Sequence, residues 1–566
     1  MKTEARFVLA IGLMLVVLVG TNILFPPTPP PDELLLPDSG AVAAPVEEEG
    51  RTDEPLLPPG VQTREAEAEA AAVPEVPERR VAAEGPLYRY EFTNLGARLV
   101  SAQMLRFQAL NQGGVVDLIP DGAVGYLGQK LVIGQDTVDL EGLPFEVAPA
   151  DGVRLTEGGE AQELRFVYQH PTTSFRVELT YEFQPDLYQA KVTGRVGGLD
   201  RPLLVTNLGS GLAFAEADSA GEARSMAYVG NHVQDGIRSW PLSKAQPGVR
   251  EGPLLWAAFR SKFFVLALLA GESEESLGEA NYLGGLIVSE SPLPGRVRVA
   301  AAQTVATDGS FGYRLFVGPQ DYARLSSLGE DLEEVNPYGW RFFRPIVRPI
   351  VGVIIAVLSF LHDRLNLGYG WVLVLFGVLM RVVLWPLNQK AMRAQLKNMA
   401  VQPLLQEIQT KYKENPEKLQ KEMMKLHKEH GFNPLAGCLP MLLPWPVLIA
   451  LFFVFQNTIE LRGVPFLWLP DLSAPDPLFV LPVFLGISMF LMQWVSMRSL
   501  DQPNPQMKMM MYIMPVMMVF IFFRLASGLN LYYAVANIAT IPQQVWIANE
   551  RKKVRAKGPP VASKKG

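Results

Sequence analysis

Two periodicities divide the chain. Phe175, Val177, Leu179, Tyr181 and Phe183 are interleaved with Arg176, Glu178, Thr180 and Glu182, and that alternation of apolar and polar positions predicts a half-buried strand. Similar segments at 87–92, 163–168, 189–196 and 311–317 are separated by turns rich in Gly, Pro and Asp. Residues 87–319 are therefore expected to form one large β-sandwich. Beyond them the pattern changes to apolar blocks at 367–387, 439–459, 478–497, 509–523 and 529–548. These approach the length a membrane helix needs and predict a five-helix membrane core over 366–548.

Two further apolar segments need separate treatment. The block 351–362 runs about a dozen residues, too few to cross ~30 Å of hydrocarbon as a helix. It follows Arg341, Arg344 and Arg348, whose spacings of three and four place them on one helix face. The connecting segment 320–365 is thus expected to contain an amphipathic helix over 339–365, lying on the membrane surface. At the start, Lys2 and Arg6 precede an apolar run over 7–25 that passes through Thr21 and Asn22 into Pro26, Pro27 and Pro29. With no small-x-small cleavage site after it, 1–25 is expected to remain as an N-terminal transmembrane anchor. Residues 26–86, rich in Pro, Ala and Glu, are expected to be an extended, disordered tether.

Charge sharpens this division and supplies a topology. Residues 341–566 hold 11 acidic and 25 basic side chains, leaving 46 and 26 of the 57 and 51 for residues 1–340. An acidic, soluble half thus precedes a basic, apolar one. With an internal N-terminus and six spans, the loop 388–440, with nine Lys/Arg, and the tail 549–566, with seven, fall in the cytoplasm. Outside lie 460–477, whose one basic residue is Arg462, and the short 524–528 turn. If 351–362 spanned instead, every later loop would invert against the positive-inside rule.

Within the spans, Arg381 stands out in the run Gly377-Val-Leu-Met-Arg-Val-Val-Leu-Trp-Pro386. A charge at that depth is costly and marks a water-filled cavity or a partner. The alternative is snorkelling, since seven residues, roughly 10 Å of helix, separate Arg381 from Asn388. The spans contain almost no other charge to neutralise it. Their polar residues are Gln456, Asn457, Ser488, Gln493, Asn530, Tyr532, Tyr533, Asn537, Gln543 and Gln544. Most lie near helix ends, but Asn537 is mid-helix, where it either bonds another helix or lines a polar groove with Arg381.

The loop 389–430 is expected to be a helical hairpin, with Asn415 as N-cap and Pro416 at the first position of its second helix. There Lys418, Lys421, Lys425 and Lys428 form one face, which is either an ordinary solvated surface or a site for anionic lipid or RNA phosphate. The single cysteine, Cys438, excludes an internal disulfide framework. The five histidines are scattered, and no phosphate-binding Gly-rich loop or G-x-S-x-G elbow occurs. The sequence calls for no cofactor or metal and gives no sign of an enzyme.

The run Met380-Arg381-Val-Val-Leu-Trp-Pro386-Leu387 is followed by Met399-Ala-Val-Gln-Pro403, Glu422-Met-Met424 and Asn433-Pro-Leu-Ala-Gly437-Cys438-Leu-Pro440. Then come Pro505-Gln-Met-Lys-Met509, Ser527-Gly528-Leu-Asn-Leu-Tyr532-Tyr533 and Gln543-Gln544. In order and spacing this resembles the YidC family of membrane protein insertases, in its long Gram-negative form. The resemblance implies an inner-membrane insertase and chaperone, with a hydrophilic groove open to cytoplasm and lipid and closed to the periplasm, and a periplasmic β-domain that looks like a galactose-mutarotase sandwich. It matches Arg381 to the family's groove arginine and Tyr533, with Tyr532 beside it, to a substrate-contacting tyrosine. Asn537 and Gln493 join them as candidate substrate-binding residues. Implied partners are nascent membrane proteins, the Sec translocon, the ribosome through the basic hairpin and tail, and anionic lipids. Gly377 departs from relatives that carry a hydroxyl residue one turn before the arginine. Two other classes stay open on the residues alone. A secondary transporter should show an internal repeat, which is not detected, and an anchored carbohydrate-active enzyme would need a carboxylate or His/Glu site within 87–319.

Overall fold

The computed structural model describes residues 77–556, apart from 124, 272–281, 292–295, 337, 340–342, 387–388, 390–407, 409–410, 413–414, 430–444 and 498–504. The expected anchor, most of the tether, the first helix of the cytoplasmic hairpin, Cys438 and the last residues of the tail lie outside the described residues.

The alternation read at 175–183 becomes the strand Arg176–Phe183, with Val177, Leu179, Tyr181 and Phe183 buried. It pairs antiparallel with Gln162–Gln169 on one side and Gln189–Gly197 on the other, in a sheet of fourteen strands that ends its chain path at Ser310–Pro319. A five-stranded sheet that includes Arg80–Glu84, Tyr88–Thr93 and Leu99–Gln108 packs against it. Phe92 lies 4.9 Å from Tyr181 and Tyr90 6.1 Å from Phe183, ring centre to ring centre. This face-to-face contact makes the β-domain a sandwich.

The first strand, Arg80–Glu84, corrects the boundary drawn at residue 86. It forms a hairpin with Tyr88–Thr93 and buries Val81 and Ala83. With only two small apolar side chains, it reads in sequence as more of the Ala- and Glu-rich tether. After the sandwich, Asp321 caps a short helix, Tyr322–Ser327, by accepting the Arg324 amide at 3.1 Å. A single helical turn, Leu332–Val335, then leads to the membrane half.

Among the described residues seven helices follow: α1 Arg344–Leu365, α2 Tyr369–Val383, α3 Pro416–Glu429, α4 Trp445–Asn457, α5 Val480–Met497, α6 Pro505–Phe522 and α7 Ser527–Ala556. Helix α1 has 22 residues, not the dozen of its apolar run. Among the described residues it is the one helix long and apolar enough to cross a membrane. The flanking charged residues continue the helix, so the apolar run underestimates it. Its basic end is neutralised, because Arg348 forms ion pairs with Asp331, with Glu333 at 3.0 Å and with Glu334 at 2.9 Å. Helix α2, with 15 residues, is shorter than the block 367–387, and its regular helix closes just before Pro386. Helix α7 instead continues past residue 548 into the basic tail, whose Glu, Arg and Lys residues favour helix. In α3, Asn415 caps as expected, its Oδ1 accepting the Lys418 amide at 3.2 Å.

Val347, Ile354, Leu373, Phe376, Val454, Phe455, Leu529 and Tyr532, from α1, α2, α4 and α7, share one buried cluster. The outer faces are apolar too. On α2, Trp371, Leu375, Val378, Leu379, Val382 and Val383 are exposed, as are Val483, Phe484, Ile487 and Leu491 on α5 and Ile513, Val516, Met517 and Phe520 on α6. Helices apolar on both faces belong in hydrocarbon, because water would penalise such a contiguous surface.

Candidate functional site

Helices α2 and α7 meet at Gly377. A Cβ there would lie 3.2 Å from Val535 Cγ1 and 3.5 Å from the Tyr532 carbonyl oxygen. The absence of a side chain lets the two backbones close up, and explains why Gly377 carries no hydroxyl. One position earlier, Phe376 joins Phe455 of α4 and Tyr532 of α7 in an aromatic layer. Its ring-centre separations are 6.3, 5.8 and 5.3 Å. Tyr533 adds an edge contact to Phe522 at 5.3 Å.

Arg381 lies about one turn beyond Gly377, toward the C-terminal end of α2. Its Nε is buried without a hydrogen-bond partner, and the neutral phenol groups of Tyr532 and Tyr533 are its neighbours on α7. The fold thus brings together three of the candidate residues, with Tyr532 buried and Tyr533 half-buried. Asn537 sits deeper along α7 and donates from Nδ2 to Ser488 Oγ of α5 at 3.3 Å, while Ser488 donates to the Leu485 carbonyl. The inter-helix bond is therefore made. Gln493 is half-buried on α5. Two further amide nitrogens, Gln456 Nε2 and Gln543 Nε2, are buried without partners.

A second set of polar contacts lies where the β-domain meets the loop between α4 and α5. Arg462 donates to Glu216 Oε1 at 2.6 Å, the Gln108 carbonyl at 2.9 Å and the Ala215 carbonyl at 3.1 Å. Its guanidinium also lies 5.2 Å from the Phe264 ring centre. Asp471 Oδ1 braces the same loop by accepting the Gly463 and Ser473 amides. Burial pushes the Glu216 carboxyl up against the opposing pull of Arg462, and raises Glu222 to about 7.

Comparison with known proteins decides the family. Residues 80–353 match the family model described as the YidC periplasmic domain, and residues 360–555 match the 60Kd inner membrane protein model. The membrane protein insertase YidC of Chlorobium phaeovibrioides is 30% identical over 574 residues, 94% of this chain and 93% of its own. The chain belongs to the YidC family of membrane protein insertases. The YidC of Chlorobaculum parvum is also 30% identical, over 83% of this chain and 82% of its own. A crystal structure titled as an active YidC insertase aligns with 83% of this chain and 93% of its own at 19% identity, with a TM-score of 0.33.

Membership of the YidC family makes this an inner-membrane protein with a periplasmic domain that acts in membrane insertion. It says nothing of Arg462, which sequence reasoning passed over. The one available signal was that Arg462 is the single basic residue of the loop 460–477. Its partner, Glu216, is 246 residues away, beyond the reach of spacing arguments.

Proposed function

We propose that this YidC-family chain inserts and folds client membrane proteins through a hydrophilic groove, open to cytoplasm and lipid, whose floor carries Arg381. Passing a hydrophilic segment through hydrocarbon leaves each polar group unsatisfied at several kcal/mol, and a wet groove reaching partway across shortens that barrier. Arg381 attracts acidic residues of the client's translocated tail. The aromatic layer of Phe376, Phe455 and Tyr532 seals the periplasmic side, Tyr533 meets the client, and Asn537 and Gln493 hold the polar wall. The client's apolar segment then moves along the wall into lipid, driven by apolar burial at ~25 cal/mol per Å². No nucleotide, cofactor or catalytic step is required.

The observation that carries this reading is the Arg381 guanidinium itself, with a buried, unpartnered Nε and no carboxylate in ion-pair contact among the described residues. In this scheme α1 lies at the membrane surface, docked by Arg348, and the N- and C-termini and the α3 hairpin are cytoplasmic. Lys418, Lys421 and Lys425, all exposed, contact anionic lipid or the ribosome, and the chain works alone or beside the Sec translocon. A photoreactive residue at position 533 tests the reading. It should crosslink to a stalled single-span client, and absence of crosslinks to any client would contradict the assignment.

A further inference from the structure

One helical position beyond Phe455, Gln456 leaves the aromatic layer and faces a cavity of about 220 Å³ between the core and the β-domain. The β-domain contributes Glu216, Asp218 and Lys262 to its wall, and the core contributes Ser473 and Arg524. Gln456 Nε2 has no partner. The cavity therefore lies immediately on the periplasmic side of the seal, where a polypeptide that has passed Arg381 would emerge.

The carboxylates at this cavity are already engaged. Glu216 is held by Arg462 at 2.6 Å, Asp471 accepts the Gly463 and Ser473 amides, and Asp218 caps the helix Ser219–Ser225, with Arg224 at 3.9 Å. The cations are less committed. Lys262 Nζ makes one hydrogen bond, to the Ser473 carbonyl at 3.2 Å, and has no carboxylate in ion-pair contact among the described residues. Arg524 is exposed and likewise unpaired among them. Arg462 neutralises Glu216 and Arg224 faces Asp218. Lys262 and Arg524 thus face one unneutralised carboxylate, Asp471, and the charge left for a ligand is positive. Burial also lowers the Lys262 pKa, a penalty that an incoming carboxylate would offset.

We infer that this cavity is a receiving site for the acidic translocated segment of a client, in which Lys262 and Arg524 take over the carboxylates that Arg381 first attracts. The inference rests on the groove reading of Arg381 and extends it to the periplasmic face. Two charges in series favour forward movement, because a tail held at the second site is kept on the periplasmic face while the apolar segment moves into lipid.

The test places a photoreactive residue at Ala474, on the cavity wall, or at Tyr533 in the groove, in full-length protein engaging stalled clients with matched acidic or neutral tails. Crosslinks from position 474 should favour the acidic tail. They should fall roughly fivefold in the Lys262→Gln/Arg524→Gln variant, as expected for the loss of two partly exposed ion pairs. Crosslinks from position 533 should persist, because both substitutions lie beyond the seal and leave the Arg462 to Glu216 contact in place. Crosslinks at 533 with none at 474, or with yield at 474 indifferent to tail charge or to the double substitution, would overturn the receiving site and leave the groove reading standing. Crosslinks at neither position would overturn both.

Discussion

Replacing Arg462 by alanine perturbs a single side chain but undoes the contact between the loop joining α4 to α5 and the β-domain. Arg462 and Glu216 have side chains 2% and 7% exposed, so water cannot substitute for the lost partner. Removing one member of such a buried pair costs about 3–5 kcal/mol, because the remaining charge is stranded. The Gln108 and Ala215 carbonyls lose a donor as well. Glu216 can escape part of this penalty by taking up a proton, since burial already raises its pKa. The variant should therefore suffer less at low pH and progressively more as pH rises. Hydrogen exchange in the 459–476 loop reads the effect locally. The lower figure of about 3 kcal/mol corresponds to roughly a hundredfold loss of protection, reported by the Gly463 and Ser473 amides that Asp471 holds. Pairing Arg462→Met with Glu216→Leu should restore most of the protection, as apolar replacement of buried ion pairs generally does. Protection in Arg462→Ala within about threefold of the parent protein would refute a buried, stabilising ion pair.

Gly377→Leu should separate α2 from α7, because its Cβ already meets Val535 at 3.2 Å. A destabilisation of about 1–3 kcal/mol is expected, read as lower thermal stability in detergent, while Leu375→Ala on the exposed face should change little. Glu222 and Glu460, both pushed up to about 7 by burial, favour the folded state fully below the unfolded value near 4.5. That contribution is lost as pH rises through about 7, so thermal stability should decline over this window. Glu222→Gln together with Glu460→Gln should flatten the decline, and an unchanged pH profile would contradict it.

Period-two alternation located strands such as Arg176–Phe183 because one sheet face is dry and the other wet. It failed at Arg80–Glu84, whose buried side chains are only Val81 and Ala83, and at Phe264–Ala270, where nearly every position is buried and no alternation remains. Among the helices, α1 spans Arg344–Leu365 within the expected 339–365, because the helix continues past its apolar run into the charged residues on either side. Arg381 was legible as a charge inside an apolar block, and Asn537 as a mid-helix amide, but its partner Ser488 lies 49 residues away on another helix. The junction of Arg462, Glu216 and Lys262 could not be read at all. Its members are dispersed through both halves, and each resembles an ordinary surface charge until the fold buries it.

The most direct test of the account compares Arg381→Lys and Arg381→Ala with the parent protein, at equal expression, on matched single-span clients bearing acidic or neutral translocated tails. Lysine keeps the charge and loses the planar fork, while alanine removes both. One ion pair at 4 Å in a partly hydrated groove is worth on the order of 1–4 kcal/mol. The lysine variant should therefore retain most insertion, and the alanine variant should lose roughly tenfold or more with acidic tails while sparing neutral ones. Equal insertion of both clients by the alanine variant would show that Arg381 merely reaches for the interface and would contradict the groove charge.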